Sequence, residues 1–116
     1  MKHLELVTRT AMSNTAVSVL DIDGVLDINT VDNFENALQE CLKKKQYKII
    51  LNLEKLTYIS SAGIGVLVGN IKEIRKNRGD IKLAGASPEV YNVLDLLDLP
   101  GLFKIHKTER DAAAEF

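Results

Sequence analysis

Two adjacent hydroxyls, Ser60 and Ser61, are the residues best placed to do chemistry in this chain. An apolar run precedes them (Ile49, Ile50, Leu51, Leu53), and three glycines follow at 63, 65 and 69, inside a helical pattern. A strand that ends in serines at the mouth of a helix sets a hydroxyl beside the positive pole of that helix. Such a hydroxyl can accept a phosphoryl group, or it can simply cap the helix, a role worth about 1 kcal/mol. Spacing alone assigns the capping role to at least one of the pair. A serine nucleophile would need a base within hydrogen-bond reach. The only histidines are His3, near the start, and His106, late in the chain. Neither is an evident partner, so the chain is not expected to be an enzyme. No His/Cys cluster suggests a metal. Gly-Ile-Gly-Val-Leu-Val-Gly has neither the lysine of a phosphate-binding loop nor the spacing of a dinucleotide fingerprint, so no cofactor is expected.

Glycine in a helix costs about 1 kcal/mol relative to alanine, so three in one helix need a reason. Close packing is the expectation for Gly69, four residues from Gly65. For Gly63, in the first turn, the expectation is that a missing side chain leaves the Ser61 hydroxyl open to a large partner.

The elements that position this pair follow from periodicity. Residues 4–11 read as an edge strand. Ser13-Asn14-Thr15 is a turn, and 16–26 is a second strand, giving an antiparallel hairpin. Asn29 is the expected cap of a first helix lined by Val31, Phe34, Leu38, Cys41 and Leu42. Residues 48–53 read as a buried strand, covered on both faces. The serine-led helix runs from about 62 to 78, with Ile64, Leu67, Val68, Ile71 and Ile74 inward and Gly79 as its stop. A strand over 81–85 follows. Ser87-Pro88-Glu89 then starts a third helix lined by Val90, Val93, Leu94 and Leu97. Leu99-Pro100-Gly101 breaks it. A short strand over 102–106 and a helix capped by Thr108 with Asp111 end the chain. The sum is an α/β fold: a mixed, mostly parallel sheet of about five strands with four helices, the first strand antiparallel, in one domain spanning 1–116.

Composition sets outer limits. The 116 residues fit one domain, and 46% hydrophobic content supports a packed core. A formal charge of -1 gives no bulk pull toward nucleic acid or anionic lipid. Apolar runs are too short to span a membrane, and Glu5, Thr8 and Arg9 interrupt any leader-like segment. Cys41 is the single cysteine and reads as a small core residue. A cytoplasmic location is the expectation.

The segment Tyr58-Ile59-Ser60-Ser61-Ala62-Gly63-Ile64-Gly65 resembles the Asp-Ser-Ser/Thr-Gly-Leu-Gly signature of STAS domains. Within these it is most similar to bacterial anti-sigma factor antagonists of the SpoIIAA and RsbV type. Gly24-Val25-Leu26-Asp27, Ile50-Leu51-Asn52-Leu53 and Gly101-Leu102-Phe103-Lys104-Ile105 add to the resemblance, which covers nearly the whole chain. It implies a β/α superhelix without catalysis of its own. It also implies a serine kinase, itself an anti-sigma factor, that phosphorylates the domain, and a phosphoserine phosphatase that resets it. The unphosphorylated form would bind the anti-sigma factor and release a sigma factor. The resemblance puts the phosphoacceptor on Ser61, with Ser60 a second candidate, and the partner surface on Asp23, Asp27, Ser60, Ser61, Ala62, Gly63 and Gly65. For Asp27 a purely structural role, capping nearby backbone, fits equally. The chain departs from the signature at Ser60, where the family has Asp, and at Ala62, where it has Ser or Thr. Family members often work as monomers when free. Two other roles fit the resemblance: a regulatory or scaffold subunit of a transporter-associated or stressosome-like complex, and a nucleotide-sensing module.

Overall fold

The computed structural model describes residues 3–116. Its elements are strands β1 (Leu4–Thr10), β2 (Ser18–Leu26), β3 (Lys48–Ile59), β4 (Asp80–Ala84) and β5 (Ile105–His106), with helices α1 (Val31–Lys43), α2 (Ser61–Lys76), α3 (Pro88–Leu96) and α4 (Glu109–Ala114). The strands form one sheet in the order β1-β2-β3-β4-β5. β1 runs antiparallel to β2, and every other pairing is parallel. The α/β class, the antiparallel first strand and the four helices agree with the sequence reading.

Alternation along the strands sends side chains to opposite faces, and each face has its own apolar cluster. Leu20, Ile49, Leu51 and Leu83 join the larger cluster, with Phe34 and Leu38 of α1, Leu67, Ile71 and Ile74 of α2, and Val90 and Leu94 of α3. Val19, Ile50 and Ala84 face the other way, under Ala112 and Ala113 of α4. Burial on both sides explains the unbroken apolar run at the start of β3.

β3 is longer than its apolar run suggests. It continues to Ile59, and its second half pairs only with β2, since β4 reaches no further than Asn52. Half-covered strand loses the continuous apolar signal, leaving Leu56 and Ile59 as its buried positions. β5 is shorter than expected, because Leu99–Gly101 forms a 3-10 turn that takes up chain before it.

Several helix details differ from expectation. Asn29 does not cap α1; Thr30 stands at that position, without a side-chain cap. The Thr30 hydroxyl is spent on the loop instead, donating to the Val25 carbonyl at 2.8 Å and accepting from the Asp27 N–H at 3.0 Å. Val68 points outward, and Asn70 is buried in its stead. The Asn70 amide donates to Glu35 Oε2 (2.9 Å) and to the Val66 carbonyl (2.8 Å), and Gln39 donates to its oxygen (2.9 Å), tying α1 to α2. Leu97 is exposed because α3 stops at Leu96 and Asp98 turns left-handed; Leu99 fills the core. At the end of α2 the left-handed residue is Arg78. Gly79 is required there for a different reason: a Cβ would collide with the Tyr47 carbonyl.

Candidate functional site: the β3–α2 junction

The two hydroxyls have separate tasks. Ser60 is the N-cap of α2, in extended conformation, and its Oγ accepts from the Ala62 N–H at 3.3 Å. That hydrogen bond satisfies one of the orphan donors of the first turn. Ser61 is the first helical residue and is exposed. No acidic side chain lies in the first turn, so the positive pole of α2 is not countered from within the helix.

The junction sits where the parallel strands β2 and β3 both end. Leu26 stands beside Ile59, and the Ser60 N–H donates to the Leu26 carbonyl at 2.9 Å. The β2–α1 loop therefore leaves the sheet right next to the serines. Sites at the carboxyl ends of parallel strands are common in α/β sheets, since loops from neighbouring strands converge there.

The glycines divide differently from the sequence expectation. Gly63 is buried, and a Cβ there would lie 2.7 Å from Leu26 Cγ and 2.8 Å from Leu26 Cδ2. Its role is close packing of α2 on β2, not exposure of Ser61. Gly65 and Gly69 are the reverse: both are exposed, and a Cβ on either would meet nothing within 4 Å. The packing expected at Gly69 is absent. The pattern of i and i+4 was visible in the sequence, but the helix face it marked was not.

The acidic candidates are also placed apart. Asp23 lies within β2, opposite Glu5 and beside Lys55, not in the loop. Asp27 is in the loop but only 6% exposed. It accepts from the Asn29 N–H at 2.9 Å, so its visible role is to shape the turn. Ala62 is half-buried behind Ser61. The residue that does project from this loop is Ile28, which is 74% exposed. An apolar side chain between Asp27 and Asn29, in an otherwise polar turn, was the available signal for it.

Among the described residues no hydrogen bond joins either histidine to Ser61. His106 lies on β5, two strands from β3, and its Nε2 is 3.8 Å from Glu115. His3 precedes β1, and its carbonyl accepts from the Val25 N–H at 3.1 Å. Among the described residues no group of three His, Cys, Asp or Glu side chains is placed to hold a metal ion. No helix among them is long and apolar enough to cross a membrane. Cys41 is buried, and that burial pushes its thiol pKa up.

With this geometry fixed, likeness to known proteins is informative. The model of the STAS domain family matches residues 9–112. The chain is a STAS domain. It is 33% identical over 90 residues to the anti-sigma F factor antagonist of Paenibacillus polymyxa, a match covering 77% of this chain and 74% of that one. It is 27% identical over 86 residues to the anti-sigma-B factor antagonist of Staphylococcus aureus, covering 74% and 80%. Among solved structures, the unphosphorylated form of the anti-sigma factor antagonist SpoIIAA aligns with a TM-score of 0.72 at 27% identity, covering 97% of this chain and 92% of that one. An anti-sigma factor antagonist from Mycobacterium paratuberculosis, at 18% identity and a TM-score of 0.86, covers 97% and 93% and shares the fold.

Proposed function

We propose that residues 1–116 act as one STAS domain that serves as an anti-sigma factor antagonist, switched by phosphorylation of Ser61. The observation that carries this reading is the division of labour at the start of α2. Ser60 is occupied as the cap, while Ser61 is an exposed residue at a helix pole with no acidic side chain in its first turn. A serine kinase moves the terminal phosphoryl group of ATP onto Ser61 Oγ; ADP leaves and the hydroxyl proton is lost. A phosphatase reverses the change by hydrolysis. The kinase is itself the anti-sigma factor, and the unphosphorylated STAS domain binds it and frees the sigma factor, in the cytoplasm.

The physics of the switch is local. Phosphate adds a charge of roughly -1.5 to -2. At the helix pole that charge is tolerated and favoured by up to about 2 kcal/mol, so the host fold persists. A protein packed over Ser61 would have to bury the phosphate, at several kcal/mol unless it supplies matched cations. Replacement of the family's Asp by Ser60 removes a neighbouring negative charge and leaves a neutral cap in its place.

Incubation with the cognate kinase and ATP tests this. Intact-mass analysis is expected to find one phosphate per chain, retained in Ser60→Ala and lost in Ser61→Ala. Ser61→Asp is expected to weaken anti-sigma factor binding by roughly tenfold or more while circular dichroism is unchanged. Full phosphorylation of Ser61→Ala, or undiminished binding by Ser61→Asp, would overturn the assignment.

A further inference from the structure

The surface around Ser61 has a second property besides its hydroxyl. From Thr57 through Ile71 no residue carries a charge, in a chain where 27% of residues do. Much of that stretch is not core. Tyr58 is 49% exposed and Val68 48%, while Ser61, Gly65 and Gly69 are exposed as well. Ser61, Gly65 and Val68 recur at helical spacing and share one face of α2. Ile28, on the adjoining loop, is the most exposed apolar residue near them. It stands two residues beyond Leu26, whose carbonyl receives the Ser60 N–H. Charge depletion in an exposed apolar patch is the compositional mark of the centre of a protein interface, whose rim is polar.

Resting on the proposed function, we infer that Ile28 is the principal anchor for the anti-sigma factor, inserting into an apolar pocket on that protein while the neutral face of α2 lies flat against it. The loop can bear such an anchor because Asp27 and Thr30 fix its shape from within. Asp27 accepts from the Asn29 N–H, and Thr30 bridges Val25 and Asp27, so little freedom is lost when Ile28 docks. The loop adjoins Ser61 through the hydrogen bond from the Ser60 N–H to the Leu26 carbonyl, which ties it to the protein that a phosphate on Ser61 would expel. Along α2 from Ser61 to Ile71 no side chain is charged, so a phosphate on Ser61 would be the first charge on that stretch, and Asp27 on the adjoining loop is only 6% exposed. Attraction across this centre is apolar, so it is insensitive to salt.

The test uses the purified anti-sigma factor kinase that phosphorylates the wild-type chain, with affinities measured by calorimetry for the full-length protein. Ile28→Ala is expected to weaken binding by about 10- to 30-fold, the range of an interface hot spot. Its thermal midpoint should stay within about 2 °C of wild type, because an exposed side chain contributes little to the fold. Wild-type affinity should change less than about threefold between 50 and 500 mM salt. Binding by Ile28→Ala within twofold of wild type, or a steep fall with salt, would overturn the inference. Ser61→Asp run in parallel separates the two claims. Loss with Ser61→Asp but not with Ile28→Ala refutes the anchor alone; loss with neither refutes the switch on which it rests.

Discussion

The two faces of the sheet use charge in opposite ways. Under α4, charge is concentrated. Arg9 of β1 donates from Nε to Asp21 at 2.6 Å and from its terminal nitrogens to both oxygens of Glu109, at 2.5 and 3.2 Å. Asn52 adds a donor to Asp21 at 2.8 Å. One guanidinium thus links the edge of the sheet to the last helix. Nearby, Lys82 is buried and lies 4.7 Å from the ring centre of Phe116. At the Ser61 end, charge is missing for the whole length from Thr57 to Ile71. The contrast is between a contact that fixed charges hold together under α4 and an α2 pole without fixed charge, which under the proposed switch would receive one only on phosphorylation.

The largest expected effect lies beneath the neutral end. Gly63→Val puts side-chain atoms where Leu26 already stands, since even a Cβ comes to 2.7 Å of Leu26 Cγ. Leu26 is buried and Gly63 is held by the helix, so one must shift. Overpacking of this kind costs about 1–3 kcal/mol. Chemical denaturation is expected to report that loss. An unchanged midpoint would mean that α2 rides loosely on β2 and that the site is less fixed than its packing implies.

Removing Arg9 strikes the charged end. Arg9→Met keeps much of the apolar stem but leaves Asp21 and Glu109 facing each other without the guanidinium between them. The partly exposed network is worth about 1 kcal/mol at neutral pH. Its pH dependence follows from the carboxylates. Arg9 holds both Asp21 and Glu109 below their ordinary pKa values, chiefly by hydrogen bonding. A carboxylate with a lowered folded pKa contributes stability above its unfolded pKa, near 4. That contribution fades as pH falls through the folded value. Wild type should therefore exceed Arg9→Met at pH 7, and the gap should close below about pH 4. A gap that persists in acid would assign the effect to packing of the Arg9 stem.

Legibility in the sequence depended on whether local chemistry was enough to fix a feature. The hairpin, the buried run Ile49–Leu53 and the caps at Ser87 and Thr108 follow from local chemistry, and the structure has them. Thr108 accepts from Asp111 N–H at 3.1 Å, as the spacing predicts. What escaped was settled by contacts that spacing alone does not specify, some within a loop and some across the chain. Asn29 reads as a cap until Thr30 is seen to be bonded to Val25 and Asp27. Val68 fits the inward stripe until Asn70 is seen to bridge Glu35 and Gln39. For Asp27 the sequence leaves partner surface and backbone capping equal, and the bond from the Asn29 N–H together with its burial fits the capping role. The glycines of α2 reverse the expectation: Gly63, expected to open Ser61, packs on Leu26, and Gly69, expected to pack, faces open space with Gly65. Arg9 gave no signal at all, because its partner Glu109 lies 100 residues further along the chain.

The smallest effect is also the sharpest for the comparison. Gly65→Ala and Gly69→Ala each remove backbone freedom from an exposed helix position with room for a methyl group. Each should stabilise the isolated protein by about 0.4–1 kcal/mol, a gain read as a higher denaturation midpoint. Nothing inside the molecule opposes that gain, so the glycines are kept at a cost to the fold. A face bared of Cβ atoms lets another backbone come close, and that benefit exists only in a complex. The two variants should therefore be more stable alone and bind the anti-sigma factor less tightly, with stability and affinity moving in opposite directions. Stabilised variants that bind as well as wild type would leave the bare face of α2 without a purpose and shift the docking contact to the Ile28 loop.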